Sequence, residues 1–167
     1  MKKILPIAIK DNPIVSECWT FAKTAIIKTS PYAEDWMASH LQLYMDHTFC
    51  TYFGESNSMY PPGYYDDILH TKNLDVFSIN TDNIIPTIKG NLDEGRYILL
   101  RTNWNTADKR EPRFHEVLIY GYDDEKQVFF VPLMEDRIFV PAEVSFEHIK
   151  TAHLLMIEEY KKIRIVV

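Results

Sequence analysis

Between His115 and Val131 the chain reads as two apolar strands around one polar turn, and this pattern limits the possible folds more than any other. His115-Glu116-Val117-Leu118-Ile119-Tyr120-Gly121-Tyr122 and Gln127-Val128-Phe129-Phe130-Val131 are dense in β-branched and aromatic residues. Asp123-Asp124-Glu125-Lys126 between them supplies a turn. Two such runs fold back as an antiparallel hairpin, and their apolar side chains need a cover. Further strands are expected over Arg96 to Trp104, which is rich in Tyr, Ile and Leu, and over Arg137 to Val140.

Helices are the expected cover. Cys18, Phe21, Ala22, Ala25 and Ile26 recur at the spacing of one helical face. Ser30-Pro31 offers an N-cap followed by proline at the first helical position, with Ala33, Trp36, Met37, His40, Leu41 and Tyr44 as the buried stripe. Turn residues cluster from Gly54 to Gly63, and a short helix is expected from about Tyr64 to Thr71. Leu74 to Ile79 reads as a strand, and Asp82 to Asp93 as a helix that tolerates Pro86 near its first turn. Ser145 can cap a helix carrying Phe146, Ile149, Ala152, His153 and Met156, with Ile163 to Val167 as a last strand. Helices first and an antiparallel sheet afterwards is an α+β arrangement. Its 167 residues, without repeat or linker, read as one domain spanning 1–167.

Composition narrows the function classes. A formal charge of −6 argues against a nucleic-acid binder, which needs clustered Lys and Arg. The apolar run after Met1-Lys2-Lys3 contains Pro6 and ends at Lys10, and no stretch approaches the roughly 20 residues that span a bilayer. Two cysteines do not make a disulfide framework, so the expected location is cytoplasmic. His148 and His153 are five positions apart, so they point about 140° from each other on a helix. His40 and His47 lack Cys or acidic partners at ligand spacing, and neither a metal nor a cofactor is expected.

The chemistry resides in Cys18 and His115. A cysteine in the first turn of a helix sits where the macrodipole is positive, which favours thiolate over thiol. An imidazole at a strand start can serve as its base. His115, Val117 and Ile119 share one strand face, so alternation can turn the imidazole to where the core meets the helix. Cys50 has no such context and reads as core. Lys109, Arg110 and Arg113 precede His115 and would form a basic lip for an acidic partner. The aromatic loop Tyr60 to Tyr65 could form the opposite wall.

Cys18-Trp19 ahead of an apolar helix, followed by His115-Glu116-Val117-Leu118-Ile119-Tyr120-Gly121-Tyr122-Asp123-Asp124, resembles the papain-like superfamily. The double-glycine leader peptidases have a similar strand pattern. The N-terminal domain family of butirosin biosynthesis protein H is more similar still, through Pro61-Pro62-Gly63-Tyr64-Tyr65 and the Asp82 to Gly95 helix. The resemblance covers about Cys18 to His153. It implies a papain-like fold, with the N-terminal helical part packed on the antiparallel sheet. It also implies acyl transfer, or thioester handling, in specialised-metabolite assembly of the nonribosomal peptide type. Cys18 would be the nucleophile and His115 the base. The implied partners are an acyl or peptidyl carrier protein, or a synthetase domain, and a small-molecule amine acceptor. Asn12, six residues before Cys18, stands where papain-like enzymes carry an oxyanion-hole glutamine.

One departure bears on activity. Leader peptidases orient the histidine with Asp or Asn from the strand after the hairpin, whereas that place here is Phe130-Val131-Pro132. Asn105 is the candidate substitute, with Asn103, Glu135 and Asp136 as others. Loss of an orienting group costs orders of magnitude in a serine triad and argues against a vigorous peptidase. Two readings therefore stand beside acyl transfer: a catalytically inactive papain-like accessory protein that binds a carrier or synthetase domain, and a cysteine hydrolase.

Overall fold

A computed structural model describes residues 1–10, 12, 18–40, 42–45, 51–54, 68–70, 79–104, 114–136 and 138–164. Side chains are described for these except 18–19, 42–45, 51–54, 114–115 and 160–164. Along the chain run β1 (Lys2–Ile4), α1 (Cys18–Ile27), α2 (Ala33–His40), β2 (Gln42–Met45) and β3 (Thr51–Gly54). A 3₁₀ turn (Thr81–Asn83) leads into α3 (Ile84–Asp93). Then follow β4 (Ile98–Asn103), β5 (Phe114–Ile119), β6 (Gly121–Asp123), β7 (Val128–Glu135), β8 (Ile138–Ser145) and α4 (Phe146–Arg164). All strand pairs are antiparallel and the class is α+β.

The predicted hairpin forms at its turn end only, as β6–β7, with Gly121 opposite Phe130 and Asp123 opposite Val128, while His115–Ile119 pair with β4 instead. Its turn is held by Asp123, whose Oδ1 accepts from the N–H of Glu125 at 3.0 Å, and it closes with Gln127 at φ 55°. The hairpin extends into a sheet of order β1-β6-β7-β8. β5 and β6 form one run broken at Tyr120. Its N–H donates to the Phe130 carbonyl (3.1 Å) and its carbonyl accepts from Leu5 (2.8 Å). At that residue the chain exchanges β4 as neighbour for β1 and β7.

β7 is buried on both sides, and its alternation sorts the core into two layers. Phe129 and Val131 join Leu100, Val117 and Ile119 of the neighbouring strands under Ile84, Ile88 and Leu92 of α3 and Phe146 and Ile149 of α4. Phe130 joins Tyr120 and Phe139 under Phe21 and Ala25 of α1, with the Phe21 and Phe139 rings stacked at 3.7 Å. Pro132 lies opposite Pro141. The Phe146 N–H to Gln127 carbonyl bond (2.9 Å) sets the phase of the ladder, which makes the proline pair a non-hydrogen-bonded rung where no N–H is missed.

Helix ends follow local chemistry. Ser145 Oγ accepts from the N–H of His148 at 3.1 Å, an N-cap to N3 bond, and Phe146, Ile149, Ala152, His153 and Met156 are all buried as their spacing predicts. α3 ends in a Schellman turn: Gly95, at φ 80°, donates to Leu92, and Arg96 donates to Asn91. Pro86 occupies the third position of α3, where its missing N–H has no intrahelical acceptor.

Several expectations change. Residues 42–45 are strand rather than the continuation of α2, paired with 51–54. α2 stops at His40, where Ser39 Oγ donates back to the Asp35 and Trp36 carbonyls. Lys2–Ile4, for which no strand was expected from sequence, is a strand on β6. Ile163 and Arg164 belong to α4 rather than to a last strand. Ile68 is in a turn and Leu69–His70 are irregular, while the rest of the helix expected at Tyr64 to Thr71 and most of the strand expected at Leu74 to Ile79 lie outside the described residues.

Two outcomes follow from this packing. A Cβ on Gly121 would lie 2.5 Å from the Lys3 carbonyl oxygen and 3.0 Å from Ile4 Cα, so β1 fits only against glycine. Gly121→Ala is expected to cost about 1–3 kcal/mol, the range for overpacking, read from urea unfolding midpoints. His153 is fully buried on α4, with Nε2 3.5 Å from the Ile79 carbonyl oxygen, and burial pushes its pKa below 6.5. The unfolded chain therefore binds this proton more readily, so the stability is present above pH 6.5 and is lost as pH falls from there toward the depressed native value. Unfolding free energies measured between pH 7.5 and 5.5 should fall for the native protein and fall less steeply for His153→Gln.

Candidate functional site

α1 packs against β5, and this contact brings the two predicted reactive residues onto adjoining elements. Cys18 is the first residue of α1, and no acidic residue lies in that helix's first turn to oppose a thiolate. His115 is the second residue of β5, opposite Thr102 in the ladder with β4. The side chains of Cys18 and His115 lie outside the described residues, as do Asn105, Cys50, Lys109, Arg110, Arg113 and the Tyr60 to Tyr65 loop.

The position of α1 is fixed from below by Asn12. This residue is buried, and its Nδ2 donates to the Phe21 carbonyl (3.1 Å) and to Thr24 Oγ1 (2.8 Å). Thr24 Oγ1 in turn donates toward the Thr20 carbonyl at 2.7 Å. Further along, the Ala8 N–H donates to the Ala25 carbonyl. Both amide protons of Asn12 thus have acceptors on α1, and holding an oxyanion would require one of them to be released. Sequence offered no signal for Thr24, a buried threonine inside an apolar helix.

The two faces of β5 are unequal. Val117 and Ile119 belong to the layer under α3 and α4, whereas Tyr120 belongs to the layer under α1. The face expected to meet the Cys18 helix through Val117 and Ile119 is therefore covered by other helices. On the neighbouring strand, Thr102 and Asn103 are both buried. Asn103, opposite Phe114, is 1% exposed, and its Oδ1 is buried without a hydrogen-bond partner among the described residues. Sequence marked Asn103 only as a substitute for the orienting residue.

Beyond the hairpin, Phe130, Val131 and Pro132 are buried core residues, as their apolar character predicts. Glu135 and Asp136 are exposed at the β7–β8 turn, where Asp136 takes φ 46°. Two other described histidines pack against tryptophan rings. His40 stacks on Trp36 at 4.4 Å, and His148 contacts the Trp104 ring at 4.4 Å. A shallow groove of about 310 Å³ lies along α2 between Tyr32, Trp36 and Ile68, and among the described residues none of α1 or β5 lines it. Among the described residues, no three His, Cys, Asp or Glu side chains cluster as metal ligands would, and no helix is long and apolar enough to cross a membrane.

No family model, curated protein or solved structure matches this chain.

Removing the Asn12 amide tests its role as an anchor. Asn12→Ala strips a buried hydrogen-bonded group and is expected to cost about 1–3 kcal/mol in chemical unfolding. Asn12→Asp should lose much of the same stability, because a carboxylate cannot donate to the Phe21 carbonyl.

Proposed function

We propose that this chain is a papain-like domain that handles acyl thioesters through Cys18 and His115, passing the acyl group to an amine. The supporting observation is the packing of α1, which begins at Cys18, on β5, whose second residue is His115. The resemblance of Cys18-Trp19 and the His115 to Asp124 strand to the butirosin protein H family supplies the reaction class. In this reading the Cys18 thiolate attacks the thioester carbonyl. The bond to the carrier's sulfur breaks, and that sulfur takes the proton held on His115. The amine then attacks the Cys18 thioester, passes a proton to His115 and expels the thiolate. The net change is thioester plus amine to amide plus thiol. Water in place of the amine makes the same apparatus a hydrolase. A carrier protein or synthetase domain would present the thioester, in a cytoplasmic setting.

A second reading has its own support. The Val117–Ile119 face of β5 belongs to the α3–α4 layer, and Val131-Pro132 supplies no orienting group. Those features favour a papain-like accessory protein that binds a carrier or synthetase domain without chemistry.

Intact-mass labelling with iodoacetamide across pH separates the two. The acyl-transfer reading expects Cys18 to label well below the free-thiol range near pH 8.5, faster than Cys50, and about tenfold or more slowly in His115→Ala. Labelling of Cys18 only above about pH 8, unaffected by His115→Ala, would overturn it in favour of the accessory protein.

A further inference from the structure

Buried polar atoms in folded proteins almost always have partners, so an orphan calls for an explanation. Asn103 Oδ1 is such an atom. Its place is informative. Asn103 ends β4, in the rung beside the one formed by Thr102 and His115. Strand alternation separates it from Leu100 and Thr102, and Leu100 lies in the α3–α4 layer. Asn103 therefore faces the opposite side of the β4–β5 ladder, the side on which Tyr120 meets the α1 layer. Its companions on that face, Leu99 and Arg101, are exposed, yet Asn103 is 1% exposed.

The direction of α1 adds a second constraint. Phe21 stacks on Phe139, which pairs with Met134 far along β7, whereas Ala25 is tied to Ala8, three residues from the Leu5 that bonds Tyr120. From Phe21 to Ala25 the helix thus advances toward Tyr120, in the same sense as β5. Its first turn, which holds Cys18, lies toward the end of the ladder where Asn103 sits.

We propose that Asn103 is a substrate-positioning residue, whose buried amide oxygen accepts a hydrogen bond from an N–H of the reactant bound at the start of α1. The proposal rests on the acyl-transfer reading and names the chemistry that reading leaves open. An amide oxygen selects an N–H donor. Two reactants carry one: the amide-bearing arm that delivers the thioester, and the amine that receives the acyl group. A buried acceptor without a protein partner costs the free protein stability and returns it as discrimination, because a reactant lacking the N–H leaves the oxygen orphaned.

Asn103→Leu, of the same branched shape but larger and without the acceptor, tests this in the full chain by two measurements, with the smaller Asn103→Val beside it to separate overpacking from loss of the oxygen. The first is thermal unfolding without ligand. If Oδ1 has no partner in the resting protein, Asn103→Leu keeps or raises Tm. A drop of several degrees in both variants means that water or a neighbouring group already satisfies the side chain structurally, and overturns the proposal. The second is acylation of Cys18 by S-acetyl-N-acetylcysteamine, which carries an amide N–H, against S-propyl thioacetate, which does not. It is followed by deacylation with a primary alkylamine. A loss of about tenfold confined to the N-acetylcysteamine ester places the N–H on the delivering arm. A loss confined to the amine step, seen as a raised KM for the amine, places it on the acceptor. No change in either step overturns the proposal. If the native protein is acylated by neither ester, the acyl-transfer reading fails, and the Tm comparison then decides whether Asn103 is an open acceptor.

Discussion

Everything in this fold depends on a strand that is buried on both sides. β7 places Phe129 and Val131 in one layer and Phe130 in the other, so the sheet cannot be covered by helices on one side alone. α3 and α4 close one face and α1 closes the other. Burial of each large apolar side chain contributes about 1.5–3 kcal/mol relative to exposure. A one-residue slip of β7 would exchange the contents of both layers together. Register is therefore strongly set here, and the paired prolines reinforce it. Pro132 and Pro141 are compatible with the ladder only on a non-hydrogen-bonded rung, and a slip by one residue would put a proline where an N–H is required.

Much of this was legible from residue types. The β6–β7 hairpin followed from its polar turn, α4 from the Ser145 cap and the spacing of Phe146, Ile149, Ala152, His153 and Met156, and α3 from its periodicity. What the sequence did not show was set by long-range pairing. Lys2–Ile4 becomes a strand because β6 offers a free edge over a glycine, a condition met about 120 residues later. Residues 42–45 continue the helical spacing of Trp36 and His40, yet pairing with 51–54 overrides it. The side chains at the end of α2 turn back on their own carbonyls, which favours stopping at His40 over another turn.

The candidate site divides along the same line. That Cys18 opens a helix was readable from amphipathic spacing, and that His115 lies near a strand start was readable from the hairpin. Their adjacency was not, because it comes from α1 packing on β5. The alternation argument at His115 met a limit of another kind. Sequence says that His115, Val117 and Ile119 alternate together, but not which helix covers that face. Since β5 is covered on both sides, periodicity alone cannot choose between them.

This two-sided burial also bears on what the site can do. A papain-type dyad needs its base and nucleophile within hydrogen-bond reach, about 2.6–3.2 Å when engaged. Val117 and Ile119 are committed to the α3–α4 layer, so an engaged dyad requires the strand to depart from regular alternation at its first rungs. Asn103 closes the same end of the β4–β5 ladder with an acceptor that the resting fold leaves unused. A buried amide oxygen without a partner among the described residues, beside the His115 rung, is a local inconsistency of the kind that functional or strained sites carry.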